Sequence, residues 1–290
     1  MEPYLLGVGT AVPGGKFQWG RAALLPAAAG GTFPRLFYTR EAIYGMPQPP
    51  ARPAALPPQE EKAAHVRRMF SSIAPRYDLL NHVLSLNIDR VWRRRAVDRL
   101  GWERRPDGVY LDTCSGTLDL AVELAKRPAF RGKVVGSDFT YEMLEHGQDK
   151  LTRLPVEPAC ADATLLPFGD GVFDGATVGF GVRNIQELDA GLRETARVLK
   201  PGARFVILEF TTPGWQPFRG LYLFYFLRVL PAVGKLVSKH GTAYTYLPES
   251  VRRFPEPPEL AERMRRAGFA DVEWTTLSGG IAALHWGTKR

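Results

Sequence analysis

The sequence predicts an α/β fold: a mainly parallel sheet with helices on both faces and an antiparallel hairpin at its C-terminal end. Three observations carry this. Between Gly108 and Phe210, short apolar runs alternate with amphipathic stretches of helical length, the pattern of successive βαβ units. Beyond them lie "DVEWTTL" and "IAALHWGTK", separated only by "SGG", and so short a connection joins only antiparallel strands. The composition, 45% hydrophobic and 23% charged, supplies a real core under a solvated surface.

Residues 1–60 stand apart. Stretches such as "MPQPPARPAALPPQEE" are rich in Pro, Gly and Ala and show no helix or strand period, so they read as a disordered or loosely packed extension. The folded domain is expected over 61–290. It begins with covering helices over 61–105: "EKAAHVRRMFSSIA" sets Val66, Phe70 and Ile73 on one helical face, and "LLNHVLSLNIDRVWRRRAVDRLG" continues as two more helical segments. "GVYLDTC" is the first strand and "LDLAVELAKR" its helix; "GKVVGSDF" is the second, followed by "YEMLEHGQDKL". "EPACADA" gives a third strand and "FDGATVGFG" a fourth. The helix "ELDAGLRETARVLK" follows, with Pro201–Gly202 as its stop, and "ARFVILEF" is the fifth strand. The helix "ELAERMRRAGF" then leads into the hairpin, which makes seven strands.

The net charge of +8 suits acidic company (nucleic acid, an anionic membrane surface, phosphate) or a scattered solvated surface. Cys114 and Cys160 lie too far apart for a metal-type pair, and with no secretory signature beside them they fit buried thiols in a reduced, cytoplasmic compartment. The apolar run from Leu221 to Val237 contains Arg228, Pro231 and Lys235, which disqualify it as a spanning helix.

"LDTCSGTLDL", Leu111 to Leu120, is the stretch closest to chemistry. In an open α/β sheet the ligand sits beyond the carboxyl ends of the strands, at the first strand–helix turn. Gly116 begins that turn, and N–H groups around Thr117 and Leu118 are expected to face an anion at the helix start. Leu118 fits such a loop if its φ is negative. Asp138 ends the second strand, where a carboxylate can accept two ribose hydroxyl bonds. In "CADA", Asp162 can hold an adenine amino group while the Ala163 N–H meets a ring nitrogen; an ordinary surface-loop acid is the alternative.

Taken together, "FSSIAPRYDLLNHVLSLNIDRVWRR", "LDTCSGTLDLA", "GSDFTYEML", "ADATLLPFGDGVFDGATVGFGVRN", "RVLKPGARFVILEF", "YTYLPESVRRFP" and "AGFADVEWTTLSGGIAALHWGTK" resemble one family. These are the quinone-biosynthesis C-methyltransferases acting on demethylmenaquinol and on the related polyprenyl benzoquinol. The resemblance implies the class I methyltransferase fold, which also ends in such a hairpin. It implies S-adenosylmethionine as cofactor, held by Thr117, Asp138, Asp162 and Ala163, with Gly116 in close backbone approach and Gly179 on strand four. The chain departs from the family pattern in two places: Ser115-Gly116-Thr117-Leu118-Asp119 stands where Gly-Gly-Thr-Gly-Asp is usual, and Gly179 where serine is frequent.

Methyl transfer to carbon needs an activated acceptor, and a hydroquinone that loses a phenolic proton becomes one. No metal is demanded. Arg183, in "FGVRN", is expected to stabilise the phenolate or orient a water, and Asn184 to position the ring oxygen; a structural salt bridge is the alternative for Arg183. Asp78, Tyr77 and His240 are the candidate bases, and Asp78 and Asn81 lie on the covering helices. Residues 213–250 read as a substrate lid or membrane-facing insertion, with aromatics and basic residues interleaved as in an interfacial helix; burial against the sheet is the alternative.

The expected function is therefore C-methylation of a prenylated quinol, foremost demethylmenaquinol, by a cytoplasmic protein peripherally associated with the membrane. The benzoquinol reaction and a non-catalytic quinone-pathway scaffold are the alternatives. A nucleic-acid substrate is disfavoured, because "FGVRN" stands where amino-methylating enzymes carry (Asp/Asn)-Pro-Pro-aromatic. The oligomeric state stays open, a homodimer included.

Overall fold

The computed structural model describes residues 61–74, 77, 85, 87–225, 228 and 242–290. In the extension it describes only two short antiparallel pairings, Tyr4–Leu6 with Ala22–Leu24 and Gly9–Ala11 with Phe17–Trp19. The absence of a strand period did not announce them.

Seven strands form the main sheet: β1 Val109–Thr113, β2 Lys133–Asp138, β3 Val156–Cys160, β4 Phe173–Gly179, β5 Leu199–Phe210, β6 Phe269–Leu277 and β7 Ala282–Lys289. Their order is β6-β7-β5-β4-β1-β2-β3. The pairs β1–β2, β1–β4, β2–β3 and β4–β5 are parallel, while β7 runs against both β5 and β6. The hairpin is thus present as expected, its second strand wedged between β5 and β6.

The helices are α1 Lys62–Ile73, α2 Ile88–Leu100, α3 Asp119–Ala125, α4 Tyr141–Gly147, α5 Leu188–Val198, α6 Phe218–Phe224, α7 Thr242–Arg253 and α8 Pro257–Arg266. Strand alternation explains why they divide between two faces. On β5, Val206 and Leu208 join a core with Trp92 and Val97 of α2 and Leu120 and Leu124 of α3. Phe205 and Ile207 join the opposite core, with Leu192 and Ala196 of α5 and Leu260 and Met264 of α8. A strand buried on both faces needs apolar residues at consecutive positions, and "FVIL" supplies them.

Two boundaries differ from the sequence reading. The helix read through Lys200 ends at Val198, and β5 begins at Leu199 because Leu199 already pairs with Phe173 of β4. Pro201–Gly202 therefore lies inside the start of a long strand and is not the helix stop. The first helical segment read from "LLNHVL" lies outside the described residues. The second is α2, which ends on Gly101 in the left-handed region at φ 73°.

His285 marks the centre of the hairpin. It is 1% exposed; its Nε2–H donates to the Pro257 carbonyl at 3.0 Å, and its Nδ1 is buried without a partner. Burial pushes its pKa down to about 4, against the opposing effect of the Pro257 bond. The unfolded chain takes up this proton near pH 6.5, so the contribution is fully present above that pH and is lost as pH falls toward 4. Stability of wild type minus His285→Gln, from urea melts, should fall by about 3 kcal/mol between pH 7 and pH 4. Parallel pH curves for the two proteins would show that another group carries the acid sensitivity.

Candidate functional site

A cleft of about 810 Å³, counted to its mouth, opens beyond the carboxyl ends of β1, β2, β3 and β4. The wall is made by the turn after β1 (Cys114–Thr117 and Asp119), the end of β2 (Asp138–Thr140), Ala161–Ala163 after β3, and Gly179–Gly181 with Asn184 after β4. Ala63, Val66 and Phe70 of α1 cover it, and Tyr77 lies over the glycine turn.

The turn after β1 is tighter than its single glycine suggests. Cys114, Gly116 and Leu118 all have positive φ, at 50°, 54° and 70°. Asp138 fixes it: one carboxylate oxygen accepts the Gly116 N–H at 2.9 Å and the other accepts the Thr140 N–H at 2.8 Å. Burial raises the Asp138 pKa, against the lowering effect of these N–H bonds. Lys150 holds the turn from outside, donating to the Thr117 carbonyl and hydroxyl at 3.0 and 3.1 Å and to Asp119 at 2.6 Å.

Leu118 corrects the sequence reading twice. Its φ is positive, not negative, so a non-glycine residue occupies the left-handed region at a cost of about 1–2 kcal/mol. Its N–H is not turned to an anion either: it donates to the Ser115 carbonyl at 2.9 Å. The side chain explains why the strain persists. Leu118 is fully buried; one of its methyl groups fills the space left by the missing side chain at Gly136, and the other lies with the Thr117 carbonyl against Gly147. A Cβ on Gly136 would stand 2.2 Å from one of those methyls, and a Cβ on Gly147 would stand 3.0 Å from the other. Gly179 has a similar origin, since a Cβ there would meet a Leu120 methyl at 2.6 Å. Leu118 and Gly179 are therefore each matched by a packing partner.

Gly116, Thr117, Asp138, Asp162, Ala163, Gly179 and Asn184 all come together on the cleft wall. One Asp162 oxygen accepts the Thr164 N–H and hydroxyl, both at 2.8 Å, leaving the second oxygen for other partners. The Asn184 side-chain oxygen accepts the Tyr246 hydroxyl at 3.0 Å. Arg183 is 8% exposed and lies behind this wall, where Nη1 donates to Glu209 at 2.7 Å and to the Phe180 carbonyl. Its Nε–H is buried without a partner. Asp78, Asn81 and His240 lie outside the described residues.

One wall residue was not singled out in the sequence. Arg93 of α2 looks like any member of the run "RRR", yet it is 9% exposed while Arg94 and Arg95 are exposed. The available signal was position: Asp89, Arg93, Ala96, Val97 and Leu100 share the buried face of α2.

The chain matches the ubiE/COQ5 methyltransferase family over residues 58–289. It belongs to that family. It is 46% identical over 230 residues to the demethylmenaquinone methyltransferase of Streptomyces avermitilis, covering 79% of this chain and 96% of the relative. It is 47% identical over 235 residues to the ubiquinone/menaquinone biosynthesis C-methyltransferase UbiE of a Geobacter species, covering 79% and 98%. An S-adenosylmethionine-dependent methyltransferase of Thermotoga maritima superposes with a TM-score of 0.55 at 20% identity, covering 78% of this chain and 100% of that one. The cyclase SpnF superposes equally well, at 0.55 and 17% identity, over 78% and 96%. These two likenesses carry the fold; the family match carries the activity.

This member of the ubiE/COQ5 family is a methyltransferase, and its cofactor is S-adenosylmethionine. The residues present fit that group. An acid ends β2, the turn after β1 brings its backbone close at Gly116, and the Ser115 hydroxyl on the wall is buried with no protein partner. Among the described residues no cluster could hold a metal ion.

The contact between Leu118 and Gly136 predicts a measurable coupling. Gly136→Ala should destabilise the wild type by about 2–3 kcal/mol through overpacking, and by less than about 1 kcal/mol in a Leu118→Ala background. Urea melts of the four proteins check this, and additive costs would show that the two residues do not share the space.

Proposed function

We propose that the enzyme methylates a ring carbon of a prenylated hydroquinone, with demethylmenaquinol as the substrate. The observation that supports this most is the near full-length match to relatives named for that reaction, in Streptomyces avermitilis and in Mycolicibacterium vanbaalenii, the latter 46% identical over 230 residues. The benzoquinol reaction is the second reading, favoured by relatives named for both quinones.

The cofactor supplies an electrophilic methyl on a sulfonium; this chain's residues hold it and activate the acceptor. In this reading Asp138 takes the ribose hydroxyls, Asp162 and the Ala163 N–H take the adenine, and Thr117 and Gly116 line the amino-acid end beside Gly179. Asn184 sits on the wall with its oxygen tied to Tyr246, which leaves its amide N–H₂ to meet a ring oxygen. The Arg183 charge is largely offset by Glu209, so its main contribution is to hold the Phe180–Asn184 turn. Its Nε–H is buried behind the wall, so Arg183 acts on the ring oxygen through the turn that carries Asn184 and not by direct contact. As the ring carbon forms its bond to methyl, the phenolic proton must leave. Of the three candidate bases, Tyr77 is the one whose ring is described at the cleft, with Asp78 adjacent in sequence.

Peripheral membrane association accounts for the surface of α6. Leu221 is 68% exposed and Phe224 62%, with Trp215 and Tyr225 also exposed beside them. No helix among the described residues is long and apolar enough to cross a membrane. A prenyl tail dissolved in lipid is reached most directly by an enzyme resting on the bilayer.

With labelled S-adenosylmethionine, the purified protein should methylate reduced demethylmenaquinone and leave the oxidised quinone untouched. Transfer to the benzoquinol alone would favour the second reading. Asp138→Ala should weaken S-adenosylhomocysteine at least about tenfold, the loss of hydrogen bonds to a charged group. In liposome sedimentation, Leu221→Glu with Phe224→Glu should reduce the bound fraction about tenfold or more, since each side chain contributes about 1.5 kcal/mol or more when buried. Unchanged sedimentation would remove α6 from the membrane contact.

A further inference from the structure

We propose that Arg93 binds the α-carboxylate of the cofactor's amino-acid tail. The inference rests on S-adenosylmethionine occupying the cleft and assigns a charged group of that ligand, its carboxylate, that the residues above leave without a partner.

The start of α3 does not provide that partner. The helix has seven residues, and the N–H of Leu118 before it is used by Ser115. Arg93 is the cation beside it. The Arg93 Nε–H donates to Asp89 at 3.3 Å, and Nη2 lies 3.4 Å from an Asp119 oxygen. The second Asp119 oxygen is held by Lys150 at 2.6 Å. Asp119 is therefore shared between two cations, and no hydrogen bond within the described residues uses Arg93 Nη1. That nitrogen lies 3.8 Å from where a Cβ on Gly179 would stand, at the cleft wall. The guanidinium also lies over the Phe180 ring, its carbon 5.4 Å from the ring centre.

The sheet order decides which end of the ligand meets it. β2 and β4 flank β1 on opposite sides. Asp138, at the end of β2, takes the nucleoside side; Arg93, beside Gly179 at the end of β4, lies across the turn from it. An amino-acid tail running over that turn brings its carboxylate to the Arg93 N–H groups and its ammonium to Asp119. A planar guanidinium with open donors matches a carboxylate, and a partly balanced one can accept a further anion without leaving a buried charge unpaired when the ligand departs.

The test compares S-adenosylhomocysteine with its decarboxylated analogue, the same nucleoside thioether bearing only the amine. On the wild type, calorimetry should show the decarboxylated compound binding about 100-fold more weakly, the loss of a charge-assisted pair. In Arg93→Gln the S-adenosylhomocysteine affinity should fall by about the same factor while the decarboxylated compound changes less than about twofold. Arg93→Lys, which keeps the charge, should lie between. Equal wild-type affinities, or equal losses for both ligands in the variants, would overturn the assignment and leave Arg93 as a structural residue. Failure of the wild type to bind either ligand would instead remove the cofactor reading beneath it. Because the first comparison uses the wild type, it decides the question even if Arg93→Gln does not fold.

Discussion

One carboxylate holds the cleft together. By accepting the Gly116 N–H with one oxygen and the Thr140 N–H with the other, Asp138 ties the turn after β1 to the start of α4. The turn after β1 inherits its position from this link. The same turn that Asp138 fixes presents Thr117 and Asp119, and it sets the backbone from which Leu118 reaches into the core. A carboxylate held by one backbone donor on each oxygen is also rigid, so the lone pairs it still offers are aimed before any ligand arrives, and less ordering entropy is lost on binding.

Around that link the enzyme distributes buried charge in short alternating chains. Asp89, Arg93, Asp119 and Lys150 form one; Glu209 and Arg183 form another behind the Phe180–Asn184 turn. Each chain keeps a low-dielectric region close to neutral while leaving a particular N–H group unused. Asp112 shows the contrary case. Burial pushes its pKa up to about 7, against the lowering effect of its bonds to the Thr177 hydroxyl and the Ala121 N–H and of the nearby Arg93 charge.

Much of this was legible in the sequence. Alternating apolar runs gave the strands, "SGG" gave the hairpin, and "FGVRN" with "YLPESV" pointed to the family. The residues expected at the cofactor end converge because strand ends converge in any such sheet. What escaped was set by packing at a distance in sequence. The sign of φ at Leu118 depends on space left by Gly136 and Gly147, and the importance of Arg93 depends on which helix face it occupies. Pairing of Leu199 with Phe173 overrode the helical pattern of the preceding residues. Local composition does not encode these, since each is a relation between segments that meet only after folding.

The fit of Leu118 against Gly136 and Gly147 also has a direction in time. A side chain at position 136 is excluded while leucine stands at 118, and a return to glycine at 118 would open a void where leucine now packs. Neither change is neutral alone, so a lineage that has acquired the leucine is held on its side of a valley that paired substitutions must cross. For protein engineering the same feature is a warning against restoring the usual glycine by consensus. The residue that looks like an error in the family pattern is, in this chain, part of the core.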